Sequence, residues 1–125
     1  LASSLTGAYV AEDSVSMCFR TGTGAHGIAQ WSFCAFRRQD EIEITGDRGQ
    51  LRFATFEDVQ VVLETEAGVQ AFDIPNPPAV QQPLIASLVD ELRGNGCSPS
   101  TGISAARTSA VIDQVLQAYR ARHPH

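Results

Sequence analysis

From Val15 to Ile74 apolar and polar residues alternate with period 2, and from Leu84 to Tyr119 apolar residues recur with the period of a helix. The first pattern belongs to strands with one covered face, the second to helices with one apolar stripe. Val15, Met17 and Phe19 share one side of a predicted strand that stops at the turn-rich Thr21-Gly-Thr-Gly24. The next strand, Ile28 to Phe36, sets Trp31 and Phe33 on one side and Gln30, Ser32 and Cys34 on the other, which predicts a hairpin. In Glu41 to Phe53, Ile42, Ile44, Leu51 and Phe53 point one way and Glu41, Glu43 and Arg52 the other, with a tight turn from Gly46 to Gly49. Two further strands are predicted from Val59 to Glu64 and from Val69 to Ile74.

Pro75-Asn-Pro-Pro78 ends the sheet, because proline cannot donate to a strand ladder and restricts the residue before it. Leu84, Ile85, Leu88, Val89 and Leu92 then fall on one helical face, with Pro83 in the first turn and Gly94 as a stop. A second helix is predicted from near Thr101, capped by Ser100 or Thr101, with Ile103, Val111, Ile112, Val115, Leu116 and Tyr119 on its apolar face. Strands followed by helices indicate an α+β fold: one open-faced, mostly antiparallel sheet of about six strands, with two C-terminal helices on one face. The other face carries Cys18, Ile28, Ser32, Phe36, Val62 and Phe72 among Gln30, Arg52, Gln60 and Glu64. Such a face is more apolar than solvent requires and is expected to meet a partner.

The length, 125 residues, is that of a single domain spanning 1–125. A formal charge of -5 with no cationic stripe excludes a nucleic-acid interface, and no apolar run reaches membrane-spanning length. Three widely spaced cysteines form neither a disulfide framework nor a metal motif, which places the expectation in a reducing cytoplasm. All nine basic residues are arginine, so lysine chemistry would have to come from elsewhere.

Taken in order, several segments resemble the C-terminal domain of the Gfo/Idh/MocA oxidoreductases, relatives of glucose-fructose oxidoreductase and inositol dehydrogenase. Glu12-Asp13-Ser-Val15 is similar to the opening of that family's first sheet strand, and Gly27 to Phe33 to its glycine-led second strand with a Trp-x-Phe pair. Ile42 to Phe53 resembles its I-x-G-x-x-G-x-L-x-F hairpin. Gln81 to Ile85, Val89 to Gly94, Ser100 to Gly102, Ala105 to Ser109 and Ile112-Asp113 resemble its closing helices. Ile103 departs from the pattern, which often has an acidic residue there.

The resemblance implies a domain that shapes a substrate pocket and makes subunit contacts, in an enzyme using NAD or NADP on a sugar, polyol or related hydroxyl compound. The implied partners are an N-terminal Rossmann domain and further copies of the chain, joined through the open sheet face. Neither the family's Glu-Lys-Pro segment nor its substrate-facing histidine helix has a counterpart here. No catalytic, cofactor-binding or metal-binding residue is therefore assigned, and the chain alone is expected to be inactive. Gly22-Thr-Gly24 lies between two strand patterns, the wrong setting for a pyrophosphate loop. The alternative is a freestanding α+β module that binds a small ligand or dimerises without catalysis.

Gln30, Trp31 and Arg52 are the candidate substrate or subunit contacts. For Trp31 the alternation favours core packing beside Phe33; for Gln30 and Arg52 a solvated sheet surface is the competing reading. His26, flanked by glycines, reads as a loop residue, and His123 and His125 as a terminus. The spacing of Asp13, His26 and Asp47 suggests no catalytic cluster. Asp90, Glu91 and Asp113 read as solvated helix carboxylates, and Cys97 as an exposed thiol.

Overall fold

The computed structural model describes residues 1–8 and 10–123, so His125 falls outside the described residues. It divides the chain into two compact units, one formed by Leu1–Phe36 with Ser100–His125 and the other by Arg37–Pro99.

In the discontinuous unit, β1 (Ala2–Ser3), β2 (Ser14–Arg20) and β3 (His26–Ser32) form an antiparallel sheet in the order β1-β2-β3. Register sets Val15 opposite Trp31 and Met17 opposite Ala29, while Ser16 faces Gln30 and Cys18 faces Ile28. Residues alternate between the two faces of a strand, so Trp31 and Gln30 point to opposite sides. The helix α2 (Gly102–Arg120) completes this unit. It starts in a reciprocal capping box: the Thr101 hydroxyl accepts from the Ser104 N–H, and the Ser104 hydroxyl accepts from the Thr101 N–H.

Leu116 and Tyr119 of α2 are buried together with Ala2, and Val15 and Val115 pack around them. Tyr119 also donates its phenolic hydrogen to the Val10 carbonyl at 2.6 Å, tying the helix to a segment 109 residues earlier. An apolar ring with a satisfied hydroxyl suits this position, because a buried phenol without a partner would be costly.

The continuous unit contains β4 (Ile42–Thr45), β5 (Gly49–Phe53), β6 (Val61–Thr65) and β7 (Gly68–Phe72), paired antiparallel in chain order. At Gly49 the β5 backbone lies so close to β6 that a Cβ would stand 2.4 Å from the Glu64 carbonyl oxygen. Only a residue with no side chain fits there. Between β5 and β6 the Asp40 carboxylate accepts from the backbone N–H groups of Thr55, Phe56 and Glu57, fixing that turn. These three hydrogen bonds, led by that from Phe56, hold the carboxyl below its ordinary range against the opposing effect of burial.

The helix α1 (Gln82–Leu92) has Pro83 in its first turn and ends as a Schellman motif. Gly94, at φ +76°, donates to the Glu91 carbonyl, and Asn95 donates to that of Asp90 at 2.8 Å. The following loop turns back on the helix, where the Ser98 N–H meets the Glu91 carboxylate at 2.9 Å.

The α+β class and the antiparallel hairpins agree with the sequence pattern, but the single sheet of about six strands does not. Two sheets of three and four strands replace it, and the two helices belong to different units instead of sharing one face. The physical reason lies between β3 and β4. Phe33 donates to the Asp13 carbonyl as β3 ends, and Asp40 is committed to the turn at residues 55–57, so the intervening chain pairs with neither sheet. The strand limits shift as well: β3 stops at Ser32, β6 begins at Val61 and β7 ends at Phe72. The two-residue β1 is too short to show alternation.

Candidate functional site

A groove of 610 Å³ lies within the discontinuous unit, between the β2–β3 sheet and α2. Its sheet wall consists of Val15, Met17, Trp31 and Phe33, brought to one side by alternation and by the Val15–Trp31 register. Its helix wall consists of Thr108, Val111, Ile112, Val115 and Leu116, which recur at the spacing of one helical face. Of its lining residues Leu116 is buried, whereas Trp31 is 48% exposed, Phe33 83%, and Val111 and Ile112 nearly half. A large aromatic residue left half uncovered over an apolar wall is a surface adapted to contact.

Glu12 and Asp13 also line the groove, in different circumstances. Asp13 is 1% exposed, and both of its carboxylate oxygens are hydrogen-bonded to the segment before it. One accepts from the Leu5 N–H at 2.7 Å; the other accepts from the Thr6 N–H and the Thr6 hydroxyl. The Leu5 hydrogen bond is the largest cause holding this carboxyl below its usual range; the Thr6 hydroxyl and N–H add to it, and burial opposes it. Asp13 is thus an ionised structural clasp. Glu12 is partly buried and makes no ion pair among the described residues.

Trp31, Gln30 and Arg52 occupy three different settings. Trp31 lines the groove, and Gln30 lies opposite Ser16 on the face turned away from α2. Arg52 belongs to β5 in the other unit, between Glu43 and Val62 across the strands. Asp13 precedes β2, His26 pairs with Arg20 at the far end of β2, and Asp47 lies in the β4–β5 turn of the other unit. Among the described residues no group of three or more metal-ligating side chains occurs.

Gly22 to Gly24 falls in the β2–β3 hairpin, between antiparallel strands and without a helix behind it. It therefore lacks the oriented N–H groups that a dinucleotide pyrophosphate requires. No helix of the described residues is long and apolar enough to cross a membrane.

The groove residues were visible individually in the sequence, as the Met17, Trp31 and Phe33 alternation and the Val111, Ile112, Val115 stripe. Their convergence depends on α2 seating against β1 and β2, which no local pattern encodes.

Across 100 residues, 80% of the chain, the sequence is 26% identical to Oxidoreductase P35 of Formosa agariphila. The chain is similar to part of an oxidoreductase. The matched region spans 30% of that protein's length. No family model matches the chain, and no solved structure matches it.

Proposed function

We propose that this chain is the substrate-shaping and oligomerisation part of an NAD(P)-dependent oxidoreductase of the Gfo/Idh/MocA type, acting on a sugar, polyol or related hydroxyl compound. The observation that carries this reading is the similarity to Oxidoreductase P35 over 80% of the chain. It is supported by the α+β class, by the β4–β5 hairpin over Ile44 to Phe53, and by the closing helix that starts at Thr101. In this reading NAD or NADP accepts the hydride and is held by an N-terminal Rossmann domain of the full-length enzyme. The chain's own residues do not fit the dinucleotide, so they serve as scaffold. Subunit contacts are assigned to the open sheet faces.

Two measurements test the proposal. The coding sequence upstream of Leu1 should contain a glycine-rich βαβ unit and a lysine-bearing motif; a stop codon close upstream overturns it. Full-length protein should reduce NAD or NADP with a polyol substrate while residues 1–125 alone do not, and turnover by the isolated chain would remove the scaffold reading.

A further inference from the structure

The groove between the β2–β3 sheet and α2 has a chemical selectivity that the oxidoreductase reading does not use. Its walls are apolar, and its volume of 610 Å³ lies within the range of roughly 300–1,000 Å³ typical of small-molecule sites. The ionisable side chains that line it, Glu12 and Asp13, are both acidic, and no Arg or His stands among them. Asp13 spends its carboxylate on Leu5 and Thr6, whereas Glu12 has no ion-pair partner among the described residues. Trp31 and Phe33 add aromatic faces to the same lining, and aromatic faces attract cations.

We propose that this groove binds a small organic cation: an apolar or aromatic stem lying between Trp31 and Ile112, with an ammonium group paired to Glu12. Charge decides the class. A carboxylate or phosphate on the same stem would meet the Glu12 carboxylate and no cation, so fatty acids and nucleotides are disfavoured. A polyol would leave its hydroxyls unpaired against Met17, Val111 and Ile112, which separates this groove from the substrate pocket of the proposed enzyme. The site lies within one unit of the fold and is independent of the proposed nucleotide-binding domain.

Trp31 is the chain's one tryptophan, so its emission reports occupancy directly. The 125-residue chain is titrated with three ligands that share a stem: 4-phenylbutylamine, 4-phenylbutanol and 4-phenylbutyrate. Saturable blue shifts are expected with the amine tightest and the butyrate weakest, the alcohol lying about two- to fivefold below the amine, as an exposed ionic contact implies. Methyl resonances of Val111 and Ile112 should move in the same titrations. Glu12→Gln should bring the amine down to the affinity of the alcohol and leave the alcohol unchanged. Equal affinity for all three ligands, an amine advantage that survives Glu12→Gln, or an emission shift without movement of the Val111 and Ile112 methyls would each overturn the assignment.

Discussion

The two units differ in what holds them together. Arg37–Pro99 has more strands and a continuous ladder from β4 to β7, yet none of its apolar side chains is fully buried. The discontinuous unit has a smaller sheet but contains Ala2, Leu116 and Tyr119, the buried apolar residues of the described chain. Ladder hydrogen bonds replace bonds to water and contribute little net, whereas covering a sheet with a helix removes apolar area from solvent. A seated helix, more than the number of strands, separates the cored unit from the uncored one.

Substitutions can break this contrast in graded fashion. Leu116→Ala should have the largest effect, lowering stability by about 2–5 kcal/mol through a cavity at the α2–β1 contact. Urea unfolding followed by Trp31 emission should show it, because Trp31 resides in the same unit. Gly49→Ala comes next, at about 1–3 kcal/mol, because its methyl would press on the Glu64 carbonyl. Faster amide exchange in β5 and β6, with β2 and β3 unchanged, would locate that loss in the continuous unit.

The smallest effect is acid sensitivity, and it belongs to both units. Asp13 and Asp40 have carboxyl groups held below the ordinary aspartate value of 3.8 in the folded state. A lowered folded pKa adds stability that is present above the unfolded value and lost as pH falls through the folded one. Stability should therefore be level from neutrality to the upper edge of the carboxylate range and decline below about pH 4. Asp13→Asn should be less stable than the parent at pH 7, and the gap should narrow as the pH falls and the parent loses its advantage. A gap that widens on acidification would show that Asp13 acts by something other than its charge.

Much of the local structure was legible because particular residues have one economical use. Gly46 to Gly49 between alternating strands marked the β4–β5 hairpin, Pro83 and Gly94 bracketed α1, and Thr101 marked the start of α2. The division into two sheets was not legible. Alternation assigns a residue to a face, but it does not say which strand edges pair, and the same pattern fits one sheet or two. Asp40 illustrates the difficulty: its partners lie 15 to 17 residues onward, and nothing in its neighbourhood announces them. Of the three candidate contacts, Trp31 lies in the groove, while Gln30 and Arg52 belong to different sheets, which alternation alone does not separate.

The bond from Tyr119 to the Val10 carbonyl also sets an order of events during synthesis. The ribosome delivers β2 and β3 first, then the whole of the Arg37–Pro99 unit, and finally the helix whose Leu116 and Tyr119 complete the first core. Until then Val15, Met17 and Trp31 wait without their cover while later strands emerge beside them. Closing a loop of this length adds little to its entropic cost compared with one half as long, but the wait is long in time. A nascent chain built this way keeps that apolar sheet face uncovered from the emergence of β3 until α2 arrives.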